Sequence, residues 1–155
     1  MRALWLLVLL AACATPPPHE AKPPEPQRML RSELGPLSRW SNGELRWPPD
    51  GGFSGPATPI VLPPGVLLDR FGSDGGNFLS PKGSRFNARA LPYVCANERY
   101  SAFRVMTALP VWIGRASAWF NVPGGATQVQ TDATVQQLLD DGVLERVHGA
   151  SAPCK

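Results

Sequence analysis

Histidine is nearly missing from this chain. The two present, His19 and His148, lie near opposite ends. The three cysteines, Cys13, Cys95 and Cys154, form no CxxC pair and no cluster with either histidine. A zinc site needs several such ligands converging, so no metal is expected. Runs of lysine or arginine are absent too. The formal net charge is +3 and the pI is about 9.0, but Arg99, Arg104 and Arg115 are scattered singly. A nucleic-acid surface needs a basic stripe, so no nucleic-acid partner is expected. The mild surplus suits a small anionic ligand and nothing stronger. One long apolar run exists, at 3–12, and it is too short to span a bilayer as a helix.

That run has a purpose of its own. Arg2 followed by leucine-rich 3–12 has the form of a signal peptide, with a basic start and a short apolar core. Leu10-Ala11-Ala12-Cys13 has the form of a bacterial lipobox, in which Cys13 becomes the lipidated first residue. The alternative is an ordinary small-residue cleavage site with an incidental cysteine. The segment 15–27, TPPPHEAKPPEPQ, is proline-rich and has no apolar face. It reads as an extended tether. The expected division is a signal peptide at 1–12, a lipidated tether and short helix at 13–42, one domain at 43–149 and a tail at 150–155. The expected location is the cell envelope, with the membrane reached through the anchor at Cys13. Ala14 after that cysteine favours an outer membrane or cell surface.

If Cys13 carries lipid, Cys95 and Cys154 remain in an oxidising compartment, where one intramolecular pairing is open to them. The other state is two free thiols. Within 28–40, Met29, Leu30 and Leu34 suggest a short amphipathic helix broken at Gly35-Pro36. Helical periodicity is otherwise scarce. The best case is 134–141, with Val135, Leu138 and Leu139 on one side, Thr131 or Asp132 as cap and Gly142 as stop. Strands are expected over 60–62, 66–71, 77–79, 102–109, 128–130 and 143–147. The residues therefore describe a small α+β domain of short strands with few short helices.

The stretch 67–81, LLDRFGSDGGNFLSP, concentrates the chemistry. A strand runs out at Arg70-Phe71 into a glycine-rich turn, where backbone approaches a ligand closely. Arg70 at its mouth offers a fork of N–H donors suited to phosphate. A solvated surface arginine is the plainer reading. Asp69 alternates with Arg70 along the strand and faces the other way.

Together with 84–92, SRFNARALP, and 119–128, WFNVPGGATQ, this stretch resembles the signature segments of the tuberculosis necrotizing toxin family of secreted NAD glycohydrolases. The resemblance opens at 47–53, WPPDGGF, and closes at 138–144, LLDDGVL. It implies a split, twisted sheet distantly like ADP-ribosyltransferases, and cleavage of the nicotinamide–ribose bond of NAD. NAD is then the substrate, with no further cofactor, and an immunity protein is the expected macromolecular partner. Arg70 and Arg89 match the family's phosphate- or ribose-binding arginines; the plainer role for Arg89 is an ion pair with, for example, Glu98. Phe71 and Phe78 match its aromatic walls, although core packing is the commoner fate of phenylalanine. Gln128 matches the glutamine whose amide holds a ribose hydroxyl or orients a water. One departure bears on catalysis. Ser101 stands where the family has its catalytic histidine, and serine is neither a cation nor a base near neutral pH. Ala126 and Val122 also depart from the pattern around Gln128. An alternative is thus a nucleotide-binding module with impaired catalysis.

Overall fold

The computed structural model describes residues 28–155. The lipidation expected at Cys13 and the tether at 15–27 lie outside the described residues. Seven strands form the sheet: β1 (Thr58–Leu62), β2 (Leu67–Phe71), β3 (Phe78–Pro81), β4 (Tyr100–Val105), β5 (Leu109–Arg115), β6 (Thr127–Gln130) and β7 (Leu144–Val147). Their order is β1-β5-β6-β3-β2-β4-β7, and all neighbours are antiparallel. One helix, α1 (Val135–Asp140), and three single 3-10 turns complete the ordered elements.

β3 is where the sheet splits. Its first half, Phe78 and Leu79, pairs with Gln130 and Val129 of β6. Its second half, Ser80 and Pro81, pairs with Asp69 and Leu68 of β2. One four-residue strand thus joins two half-sheets. Pro81 has no N–H to continue the ladder and ends the strand, as its chemistry requires.

Strand alternation sorts the side chains between two faces. Leu68, Phe103, Val105, Leu79 and Val129 pack with Val135 and Leu138 of α1 and with Leu144. The opposite face of β2 sends Phe71 to Phe86 and Tyr93. A third cluster joins Leu34, Ala90, Phe120 and Val122. α1 begins at Thr134, whose hydroxyl accepts from the Gln137 N–H while the Gln137 amide oxygen accepts from the Thr134 N–H. This capping box satisfies donors that a helix start leaves open.

Three local expectations differ from the structure. The cap is Thr134, not Thr131 or Asp132; the Thr131 hydroxyl instead donates to the Ala133 carbonyl. The strand expected over 102–109 is two strands, β4 and β5, because the chain leaves the ladder after Val105 and re-enters at Leu109 to pair with β1. No helix forms within 28–40. Leu30 bridges to Tyr93, Leu34 is buried and the chain turns at Gly35, φ +79, so tertiary contacts hold this segment against the body without helix.

Cys95 and Cys154 are bonded, with Cα atoms 5.6 Å apart. The bridge closes a loop of 59 residues, which in the chain-entropy account stabilises the fold by about 4 kcal/mol. It also keeps the tail in place: the Phe86 N–H donates to the Pro153 carbonyl.

Candidate active site

A cleft of about 280 Å³ opens at the end of β2. Arg70, Phe71, Phe78, Arg89 and Gln128 all line it. They come from β2, β3, β6 and the 3-10 turn Phe86–Arg89. Five of the residues singled out from sequence are therefore brought together. Ser101 is not among the lining residues. It is 8% exposed on β4, directly opposite Arg70 in register, and its hydroxyl accepts from Arg146 Nη1 at 3.1 Å.

Arg70 is aimed by the turn that follows it. Its Nε donates to the Ser73 carbonyl at 2.6 Å and its Nη1 to the Phe78 carbonyl at 2.7 Å. The guanidinium lies on Gly76, where a Cβ would require the guanidinium to move.

Arg89 is held more deeply. Its Nη2 lies 2.5 Å from Asp69 Oδ1, and Nε and Nη2 donate to the Ser84 carbonyl at 3.1 and 2.7 Å. The guanidinium sits 5.0 Å from the centre of the Phe71 ring. Its ion-pair partner is Asp69, not the Glu98 considered from sequence. Asp69 is fully buried and also accepts from the Gly83 N–H and from the Tyr100 hydroxyl at 2.9 Å. Burial first, and then that hydrogen bond to a carboxylate, push the Tyr100 phenol well above its ordinary value. Tyr100 therefore stays protonated and keeps donating.

Glu98 belongs to another arginine, which sequence reasoning missed. Arg28 grips it in a two-pronged pair and lies 3.5 Å over the Tyr93 ring. Arg28 lines the cleft together with Tyr93 and the half-exposed Trp47. No local signal marked it, because it sits at the end of the proline tether. The Tyr93 phenol is also raised, mainly by burial, with Arg28 opposing and Glu98 adding to the shift.

Phe71 and Phe78 divide the wall role. Phe71 is 4% exposed and packs edge-on against Phe86, so it serves core and cleft at once. Phe78 is 36% exposed and presents its ring to the opening. Gln128 donates from Nε2 to the Gly51 carbonyl at 2.7 Å. The turn Asp50–Gly52 therefore sets the orientation of its amide. That turn is tied to the end of β5 by the Ser117 N–H on the Gly52 carbonyl and the Ser54 N–H on the Arg115 carbonyl. Among the described residues, no carboxylate or imidazole lines the cleft, and no group of three or more metal-ligating side chains occurs.

Residues 61–147 match the family described as tuberculosis necrotizing toxin. The chain is 36% identical over 129 residues to the conidial surface nicotinamide adenine dinucleotide glycohydrolase nadA of Aspergillus fumigatus. That match covers 72% of this chain and 55% of the fungal protein, so the chain spans about half the length of this curated relative. Among solved structures, the tuberculosis necrotizing toxin complexed with its immunity factor superposes with a TM-score of 0.55 at 25% identity. The superposition covers 67% of this chain and 63% of that one.

Proposed function

Because the chain belongs to the tuberculosis necrotizing toxin family, we propose that its cleft binds NAD and hydrolyses the nicotinamide–ribose bond. The observation that carries this reading is the convergence of Arg70, Arg89, Phe71, Phe78 and Gln128, from separate segments, on one opening. NAD presents a dianionic pyrophosphate between two nucleosides. Arg70 and Arg89 supply charge-assisted donors to phosphate or ribose oxygens. Phe71 and Phe78 supply ring surface. The cleft is at the small end of ligand pockets, so part of the dinucleotide stays outside it, beside the exposed Trp47.

The bond to be broken suits a site without a carboxylate pair. Nicotinamide leaves as a neutral molecule from a cationic glycoside, so no acid need protonate it. The ribosyl carbon becomes oxocarbenium-like as the C–N bond breaks. Water adds to that carbon and releases its proton to solvent, giving ADP-ribose, nicotinamide and a proton. Gln128 is the residue assigned to orient the water or a ribose hydroxyl. The reading includes export, a lipid anchor at Cys13, an immunity protein as partner, and the distant likeness to ADP-ribosyltransferases.

A second reading is a binding module with impaired turnover. Ser101 in the family's histidine position, bonded to Arg146 and not among the residues that line the cleft, favours it. One experiment separates the two. The purified full chain is incubated with NAD, with binding followed by calorimetry and nicotinamide release by chromatography. Release is the expected result, and Arg70→Ala should weaken binding roughly ten- to a hundredfold, as losing one charge-assisted phosphate contact implies. Binding without release establishes the second reading. Absence of NAD binding overturns both.

A further inference from the structure

The turn that aims Arg70 is itself clamped from behind by residues with no assigned role. Asp74 stands in its middle, with a side chain 9% exposed. Its Oδ2 accepts from Arg99 Nη2 and from Arg146 Nη2, each at 2.8 Å. Arg146 spends its other terminal nitrogen on the Ser101 hydroxyl. Arg99 also fixes the turn through its backbone, because its carbonyl accepts from the Gly72 N–H at 2.8 Å. On the far side, the Gln136 and Val135 N–H groups donate to the Asp74 and Gly76 carbonyls at 2.8 and 3.0 Å. The turn at 72–76 is thus tied to Arg99, just before β4, to β7 and to the start of α1.

Arg70 reads the shape of that turn directly. The Ser73 carbonyl, next to Asp74, receives its Nε, and Gly76 forms the surface on which the guanidinium rests. A shift of the turn therefore moves Arg70. We propose that Asp74 is a positioning residue for Arg70, and that Ser101 acts here as an anchor for the Arg146 arm of the clamp. The functional consequence rests on the cleft being a nucleotide site; the positioning itself does not.

The ligand-free arm of the test is hydrogen exchange at arginine Nε–H, read by NMR on the full chain. Asp74→Asn keeps the size of the side chain and removes its charge. Exchange of Arg70 Nε–H should quicken by about tenfold, as expected when a local hydrogen bond opens more often. Arg89 Nε–H, which donates to Ser84 on the other side of the cleft, should not change. Gly76→Ala displaces the guanidinium directly and should also expose Arg70 Nε–H, with the clamp intact. The ligand arm is a double-mutant cycle on NAD binding. Asp74→Asn should weaken binding by about tenfold in the native background and change it little in an Arg70→Ala background, which is the signature of acting through Arg70. Unchanged exchange at Arg70, equal acceleration at Arg70 and Arg89, or losses that simply add in the double variant would each overturn the proposal. A native chain that binds no NAD overturns the nucleotide reading alone, and the exchange arm still decides the positioning.

Discussion

Asp69 and Asp74 lie on either side of Arg70, and each holds arginines, yet they are built differently. Asp69 is inside β2 and fully buried, ion-paired through Oδ1 to Arg89 and hydrogen-bonded through Oδ2 to Tyr100 and the Gly83 N–H. Asp74 sits in the turn beyond the strand, and one of its partners, the Arg99 side chain, is 57% exposed. The Arg89 side chain is 6% exposed. A charge removed from the first network leaves a buried guanidinium without compensation; a charge removed from the second leaves Arg99 to water and Arg146, 31% exposed, with its contact to Ser101. The contrast separates two tasks. Asp69 holds the floor of the cleft together, and Asp74 holds the shape of its rim.

The largest expected effect follows from the first network. Asp69→Ala should lower unfolding stability by about 3–5 kcal/mol, the usual result of orphaning one member of a buried ion pair. Urea denaturation measures it, and a loss under 1 kcal/mol would mean that Arg89 finds another acceptor.

Tyr100→Phe sharpens the same side of the comparison. It removes a hydrogen bond to a buried carboxylate and should cost about 1.5–3 kcal/mol near pH 8. The phenol is raised above its ordinary value of 10.0 in the folded chain. Its contribution is therefore complete below about pH 10 and is lost as pH rises toward the higher folded value. The stability difference between native chain and Tyr100→Phe should narrow in denaturation experiments above pH 10. A constant difference would show that the phenol ionises alike in both states.

For the rim, Asp74→Asn should cost no more than about 1 kcal/mol, since the Arg99 pair is solvent-exposed and the asparagine amide oxygen still accepts from Arg146. A loss as large as that of Asp69→Ala would erase the distinction between floor and rim. The smallest effect concerns the delivery of Arg89. Ala90, the next residue, adopts φ +53 and ψ +41, a left-handed conformation unfavourable to a residue with a Cβ. Ala90→Gly should be tolerated, with a gain of up to about 1 kcal/mol where relief of strain exceeds the added freedom of the unfolded chain. A clear loss of melting temperature would show that the Ala90 methyl matters more to its cluster with Leu34 and Phe120.

Much of this organisation is legible in local pattern. Alternation marks β2, β6 and β7, glycines and prolines mark the turns between strands, and the spacing of Val135 and Leu138 marks α1. Residue identity around 67–81, 84–92 and 119–128 is enough to nominate five cleft residues and the family. Cysteine counting points to the bond between Cys95 and Cys154. These features depend on φ/ψ preference, side-chain period or residue type, which are properties of short segments.

The pairing of charges is another matter. Which arginine meets which carboxylate is decided by segments far apart in the chain: Arg28 with Glu98, Arg89 with Asp69, Arg146 with Asp74. No periodicity encodes such a choice, because it depends on strand order and register. The same holds for the non-helical segment at 28–40, whose helical spacing yields to contacts with Tyr93, Phe120 and Val122. Ser101 is the sharpest case. Its neighbours in sequence suggest, by resemblance alone, the histidine position of a family motif, while the register of β4 against β2 and β7 sets its hydroxyl against Arg146. Local sterics and side-chain chemistry choose the elements, and long-range burial of charge, which tolerates few unpaired groups, chooses their partners.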